Sequence, residues 1–312
     1  MDLGKIKAAA EKAADMKPAT LPLSPDTDLH IDGDYAAYYF SGNDETTLAQ
    51  AKAKFLATVR DVVEIGGVGG QVVIHLSSRG GDKGKRFRIA TVKDYQGQRD
   101  SDRRPKNWDA IRTWLEAGKT LAGTTYRVVQ WADREADDGI AAAARYAIQG
   151  KRTPVLFSRD KDFRMIPGRH VVWTTLERVE LAPETFELRG PDGLVYGQKW
   201  FWMQMLMGDT ADNIPGLEGQ PAKQEGKFKP CGEACAETQL FDADNSAQAY
   251  EIVRDLYQTY YGQAWPERLV EQAALLWLRT DNKADVGDFL RAIPLKDRGV
   301  EAAVDKLRRR LK

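Results

Sequence analysis

The sequence predicts an α/β fold: a mainly parallel central sheet flanked by helices, followed by a helical subdomain. Three observations predict it. From Leu29 onward short β-rich runs alternate with helical stretches, after Tyr196 only helical spacing of apolar residues remains, and almost every strand of the first part ends in an acid.

Residues 1–27 read as an N-terminal arm and linker. The first 17 form a polar, Ala/Lys-rich helical stretch, and the three prolines of PATLPLSPDTD interrupt any regular element after it. Residues 28–195 form the α/β core. LHID, QVVIHLSS, YRVVQWA and TPVLFS have strand character, and TTLAQAKAKFLATVRDVVEI, IRTWLEAG and EADDGIAAAARYAIQ have helical character between them. Strand and helix in alternation favour a parallel sheet covered on both faces, with its site at the carboxyl ends of the strands. Residues 196–285 are helical, in GQKWFWMQMLMG, SAQAYEIVRDLYQTYYG and PERLVEQAALLWLRT, with a hairpin-like loop rich in Gly, Pro and Lys from Gly216 to Ala236. Residues 286–312, ending KLRRRLK, read as an exposed basic tail.

A chain of 312 residues can bury one sizeable core and carry a second unit. Lys+Arg and Asp+Glu both total 46, so no overall positive field advertises a polyanionic partner, and any such partner must be met by local charge. A hydrophobic content of 42% with eight Trp excludes a disordered chain. Cys231 and Cys235, spaced C-x-x-x-C with no His nearby, make neither a zinc site nor a disulfide framework and read as thiols in a reducing cytosol. No run approaches the roughly 20 apolar residues that span a bilayer. The expectation is a cytoplasmic monomer with no membrane partner.

The acids carry the chemistry. Strand ends supply Asp32, Asp82, then Glu135, Asp137 and Asp138, then Asp160 and Asp162, and GDTADN in the helical part adds Asp209 and Asp212. One such acid alone is more simply a turn former or helix N-cap. Recurrence at four successive strand ends is not explained that way. Side by side, two bare carboxylates about 4 Å apart repel by roughly 4 kcal/mol at an effective dielectric near 20. Hard divalent cations compensate such charge, and an acid-only site fits Mg²⁺ or Mn²⁺ rather than Zn²⁺.

At these residues the sequence resembles the 5′-nuclease family: flap endonucleases, the 5′-nuclease domain of bacterial DNA polymerase I, and above all phage 5′→3′ exonucleases. The match runs from Leu29 to Thr280 through IDGD, GDKGKRFR with YQGQR, EADDGIAAAARY, SRDKDFRMIP and GDTADNIPGLEG. The resemblance implies a PIN-like nuclease core with a helix-hairpin-helix-type subdomain. It implies that Asp32, Asp82, Glu135, Asp137 and Asp138 form a tighter metal group and Asp160, Asp162, Asp209 and Asp212 a looser one. Hydrolysis with two metal ions follows, on duplex DNA with 5′ ends, nicks or flaps and on RNA–DNA hybrids. A phage-encoded member would act in the host cytoplasm.

From Arg79 to Lys106 ten Lys or Arg stand against four Asp, with Tyr95 interleaved. The resemblance makes this region, 79–106, a basic arch for a single 5′ strand, with Lys83, Arg86 and Arg99 as phosphate contacts and Tyr95 as a stacking platform. A solvated charged loop is the alternative. One departure is Gln96, which stands where relatives usually carry Lys. NIPGLEG resembles half of a hairpin that binds duplex backbone, which assigns Gly216, Gly219 and Lys223 to DNA and suggests K⁺ there, although the segment 220–230 interrupts the motif. Two other functions compete: a haloacid-dehalogenase-like phosphatase, for which IDGD supplies a D-x-D with Asp32 as covalent nucleophile and GDTAD a late acidic motif, and a DNA-junction binding module with vestigial acids.

Overall fold

The structure, a computed structural model, describes residues 18–99, 104–217, 220–221, 228–281, 283–293 and 297–312 of the chain. The helix expected over residues 1–17 lies outside the described residues.

Strand β1 (Thr27–Asp32) sits at the middle of the sheet with both faces covered, Leu29 and Ile31 buried on one and His30 and Asp32 on the other, and it ends in the acid that caps the next helix. Helices α1 (Gly33–Phe40) and α2 (Leu48–Gly66) follow. Thr47 and Gln50 close a capping box at the start of α2, and Gly67, in a left-handed conformation with φ 66°, ends it. β2 (Val72–Ser77), α3 (Arg86–Ile89), α4 (Trp108–Glu116), β3 (Arg127–Trp131), α5 (Ala136–Gln149) and β4 (Thr153–Phe157) continue the alternation. β5 (Gly168–Val171) and β6 (Arg178–Leu181) complete a six-stranded sheet of order β3-β2-β1-β4-β5-β6. The first five strands are parallel and β6 runs antiparallel to β5.

The period of two along each strand divides the core between the sheet's faces. Leu29, Ile31, Ile74, Leu76, Val155 and Phe157 pack with Phe55, Val59, Ile111 and Leu115 of α2 and α4. Leu156, between Val155 and Phe157, packs instead with Ile140, Ala141 and Ala144 of α5. Gly139 lets α5 sit close to the sheet, since a Cβ there would lie 2.2 Å from the Trp131 ring. Gly33 does the same for α1, where a Cβ would meet the His75 carbonyl oxygen at 2.6 Å. Both close approaches set the entry points of helices that begin beside predicted site acids.

The second unit is built on α6 (Gln198–Met207), which is apolar on nearly every face and correspondingly buried. Around it lie α7 (Glu233–Gln239), α8 (Ser246–Tyr261) and α9 (Trp265–Leu276). Gln220–Pro221 pairs antiparallel with Phe228–Lys229, a two-stranded ribbon where the sequence suggested a hairpin-like loop. The exposed basic tail expected over 286–312 is corrected. Val286–Ala292 is helix α10 and Arg298–Leu311 is helix α11, whose Val300, Ala303, Val304 and Leu307 are buried against the helical unit. Their spacing of three and four residues makes an apolar stripe, and the arginines lie off it. No helix of the described residues is long and apolar enough to cross a membrane.

Replacing Gly139 by Ala is expected to lower the unfolding free energy by about 1–3 kcal/mol, the usual range for overpacking a tight contact. The check is the urea midpoint, and an unchanged midpoint would contradict the close approach of α5 to Trp131.

Candidate active site

The strand order reverses between β1 and β4, so a crevice opens beyond their carboxyl ends, where a doubly wound sheet places its ligands. Asp32 ends β1, and Asp160 follows β4. Ser158 ties them: its hydroxyl donates to Asp32 Oδ2 at 2.8 Å and accepts from the Asp160 N–H at 3.0 Å. Asp32 also caps α1 through the Tyr35 N–H at 2.9 Å. Asp82 caps the turn at Lys83–Lys85 through the Gly84 N–H, and Asp160 caps the turn at Lys161–Met165 through the Asp162 N–H. The capping reading thus holds for three acids. Glu135, at the cap position of α5, makes no capping bond, so its carboxylate turns into the crevice.

The acids feel one another. Burial first, then the Asp34 charge, pushes the Asp32 pKa up to about 7. Asp137 is raised well above the usual carboxylate range by burial and by Asp32, Asp160, Glu135 and Asp34. Asp160 is exposed, yet desolvation by the surrounding protein and the charges of Asp209 and Asp212 raise its pKa. Asp162 is raised by burial and by Asp160 and Asp209, although the Gln204 amide donates to it at 2.5 Å. Glu135 is raised by burial, with Arg86 opposing and Asp212 adding to the rise. Asp32, Glu135, Asp137, Asp160, Asp162, Asp209 and Asp212 therefore share one electrostatic field. Asp137 accepts no hydrogen bond from the described residues.

Asp209 and Asp212 reach this field from a loop closed by main-chain bonds. Asp209 and Ile214 exchange N–H···O bonds of 2.9 and 2.7 Å, and Leu217 N–H donates to Leu206 O at 2.8 Å. Gly216, expected to meet DNA, is used in this closure. It has φ 67°, and a Cβ there would lie 2.3 Å from Gly208 N and from the Met207 carbonyl carbon. Gly219 and Lys223 lie outside the described residues.

Several predicted roles change. Asp138 sits one residue from Asp137 but faces away from the crevice, fully buried against Arg86, whose Nη1 and Nη2 donate to it at 2.7 and 2.8 Å. The Arg279 N–H donates to the same carboxylate at 2.9 Å. Arg86 beside it holds the Asp138 pKa below the usual carboxylate value despite burial. Asp138 is a structural ion-pair partner rather than a ligand. Arg86 is likewise corrected: it is 4% exposed, also lies 3.2 Å from Glu135 and donates to Leu275 O, so it cannot grip phosphate. Tyr95 is buried too, and its hydroxyl donates toward Glu135 and Asp212 instead of its ring stacking on a base. Arg99 pairs with Asp212, and Lys83 lies 3.8 Å from Glu135 and is 29% exposed. Asp82 is not among the charges that weigh most on Asp137 or Glu135.

The expected arch is thus partly packed down. Ile89 and Tyr95 belong to the core of the helical unit, and Arg88, Lys85 and Arg310 bond across to α11 and back. Sequence reasoning passed over four groups that position the site. Ser77 receives the Ala136 N–H and donates to Asp34, Arg112 pairs with Asp34, and Ser158 and Gln204 hold Asp32 and Asp162. Nothing in their local sequence distinguishes them. Phe87, 54% exposed beside Tyr95 and Lys83, is the aromatic ring left facing solvent there.

Among the described residues no three His, Cys, Asp or Glu side chains are already arranged around one point to hold a metal ion. The donor set nevertheless fits hard cations, which bind one or two carboxylates and keep several waters. All donors are carboxylate oxygens, and the charges weighing most on Asp137 are all acids.

No family model matches the sequence, and no curated protein matches it. Solved structures do. The D15 protein of T5, co-crystallised with metal ions, aligns over 92% of this chain and 100% of its own, with a TM-score of 0.56 at 16% identity. T5 5′-exonuclease with bound divalent metal ions (zinc) aligns over 92% and 100%, with a TM-score of 0.55 at 17% identity. The chain has the T5 5′-exonuclease fold. That PIN-like fold is the α/β class expected from the strand and helix alternation.

In this 5′-exonuclease fold the raised carboxyls make stability depend on pH. A group whose folded pKa exceeds its unfolded one holds a proton in the fold that the unfolded chain has released, so stability falls as pH rises through that interval. His30, His75 and His170, all depressed by burial, contribute the opposite slope, but only below about pH 6.5. Without metal, the melting temperature is therefore expected to drop by a few degrees between pH 6.5 and 8. Millimolar Mn²⁺ should remove the drop, and identical profiles with and without Mn²⁺ would contradict a cation-binding crevice.

Proposed function

We propose that the chain is a divalent-metal-dependent 5′ nuclease that hydrolyses phosphodiester bonds in DNA. The observation that supports it most is the convergence of seven carboxylates from four separate stretches of chain on the crevice beyond β1 and β4. The shared fold adds to it, since the similar T5 proteins are described with metal ions and one as a 5′-exonuclease. In finer detail we infer 5′→3′ exonuclease or flap cleavage, with two Mg²⁺ or Mn²⁺ ions, on duplexes with 5′ ends, nicks or flaps, together with cleavage of the RNA strand in hybrids.

When bound, such ions activate a water and stabilise the leaving oxygen of an in-line displacement. The chain's own residues do the rest. Asp137, free of hydrogen-bond donors among the described residues, is the first candidate ligand, with Asp32 and Asp160 held beside it by Ser158. Glu135 and Asp212 form the far wall, and Asp162 and Asp209 lie beyond Asp160. Lys83 beside Glu135 and Lys161 beside Asp209, both partly exposed at the crevice, offer cations to an incoming phosphate. Phe87 offers a base the aromatic face that Tyr95 cannot.

The phosphatase alternative needs both acids of the D-x-D. Asp34 is locked by Ser77 and Arg112, which leaves it no part in acid–base chemistry on a small ester. A binding module without catalysis fares worse on electrostatics, because an acid-lined crevice without cations repels phosphate.

Asp137→Asn and Asp160→Asn are each expected to slow cleavage of 5′-labelled duplex and flap DNA by about 100-fold or more, the order lost when one electrostatic element of a site is removed. Metal-free melting temperatures should hold or rise, because each change removes a repelled charge. Full activity in both variants would count decisively against the assignment.

A further inference from the structure

Tyr95 and Gln96 are adjacent in sequence and bind the same two acids. The Tyr95 hydroxyl lies 2.8 Å from Glu135 Oε2 and 3.0 Å from Asp212 Oδ2. The Gln96 amide nitrogen lies 3.3 Å from Glu135 Oε1 and 3.0 Å from Asp212 Oδ1. Each carboxylate thus places one oxygen on the tyrosine and the other on the glutamine. Glu135 comes from the start of α5 in the α/β core and Asp212 from the loop after α6 in the helical unit, so the two residues bridge the units at the crevice. Lys83 Nζ, which can only donate, bonds Gln96 Oε1 at 2.5 Å and so turns the amide NH₂ toward the acids. The Gln96 main chain, in a left-handed conformation with φ 56°, donates its own N–H to Asp212 O at 2.9 Å.

We propose that Tyr95 and Gln96 are positioning residues that hold Glu135 and Asp212 as a facing pair of metal ligands; the inference rests on the nuclease reading above. The hydrogen count argues for it. One hydroxyl hydrogen and two amide hydrogens bridge the two carboxylates, whereas Arg86 reaches Glu135 alone and Arg99 reaches Asp212 alone, so what joins the pair is neutral. Like charges held within reach of a single hydroxyl repel, and a divalent cation between them would offset that repulsion beyond what Arg86 and Arg99 already do. Had the fold needed only to satisfy Glu135, Arg86 at 3.2 Å and Lys83 at 3.8 Å would have served. Gln96 is suited to the task because it is neutral and two-ended. It transmits Lys83 to the acids without placing an ammonium between them, where it would compete with a divalent ion.

The test compares wild type with Tyr95→Phe, which removes one oxygen from a buried ring, and Gln96→Met, which keeps length at a half-buried position but removes both ends of the amide. Free Mn²⁺ is read by electron paramagnetic resonance during titration, and fold is checked by thermal melting in chelator. Each variant is expected to melt within a few degrees of wild type and to bind Mn²⁺ about 10- to 100-fold more weakly, as when outer partners of metal ligands are lost. DNA cleavage should need correspondingly more Mg²⁺ but recover most of its rate at saturation, a split that mere structural damage does not produce. The double variant should lose less than the product of the two, since both residues hold the same pair. Mn²⁺ affinities within twofold of wild type in both single variants, with wild type cutting DNA, would overturn the clamp and leave the nuclease reading standing. Wild type that neither binds Mn²⁺ nor cuts would overturn both.

Discussion

Mutual repulsion among carboxylates is the constraint around which this molecule is organised. Seven acids from β1, from the start of α5, from the turn after β4 and from the loop after α6 are drawn into one crevice, where burial and neighbouring charge raise the pKa of five of them. Such an arrangement is destabilising in an empty protein. It persists because the main chain over-determines it: helix caps fix Asp32 and Asp160, close glycine contacts fix the entries of α1 and α5, and a loop closed by its own backbone bonds presents Asp209 and Asp212.

A second interaction keeps the halves in register. Arg86 and Asp138 are buried together, bidentate, and the Arg279 main chain completes the carboxylate's partners. Removing one member of such a pair costs about 3–5 kcal/mol, whereas intact pairs contribute little net stability. Its value here is geometric. Arg86 joins α3 to α5 of the core and to the end of α9, and Arg279 reaches back to Gly84 O. The segment on either side of this anchor delivers Lys83, Tyr95, Gln96 and Arg99 to the acids. Of the positive charge that a linear reading assigns to phosphate, Lys83, Arg86 and Arg99 are turned onto the site itself, while Arg79, Arg88, Lys93, Arg104 and Lys106 stay exposed.

The strand and helix alternation was legible because core strands and helices differ in period, and the strand-end acids because they recur. β5 and β6 escaped notice because each is only four residues long. α11 escaped because three consecutive arginines, Arg308 to Arg310, outweigh in inspection the stripe of Val300, Ala303, Val304 and Leu307. Asp137 and Asp138 were indistinguishable for a simpler reason. Successive helical residues point about 100° apart, so one meets the crevice and the other Arg86, and only the packing of α5 says which. The burial of Arg86 and Tyr95 was likewise illegible, since their partners lie tens of residues away and a run of charge reads locally as surface.

The central claim is that this crevice is complete only with cations in it. Crystals soaked in Mn²⁺ and measured at the manganese absorption edge test it most directly. The account predicts anomalous peaks within coordination distance of Asp137 and of at least one of Asp32, Glu135, Asp160 and Asp212, with Asp138 still on Arg86. Peaks confined to the outer surface, or a crevice that stays free of manganese at millimolar concentration, would contradict it.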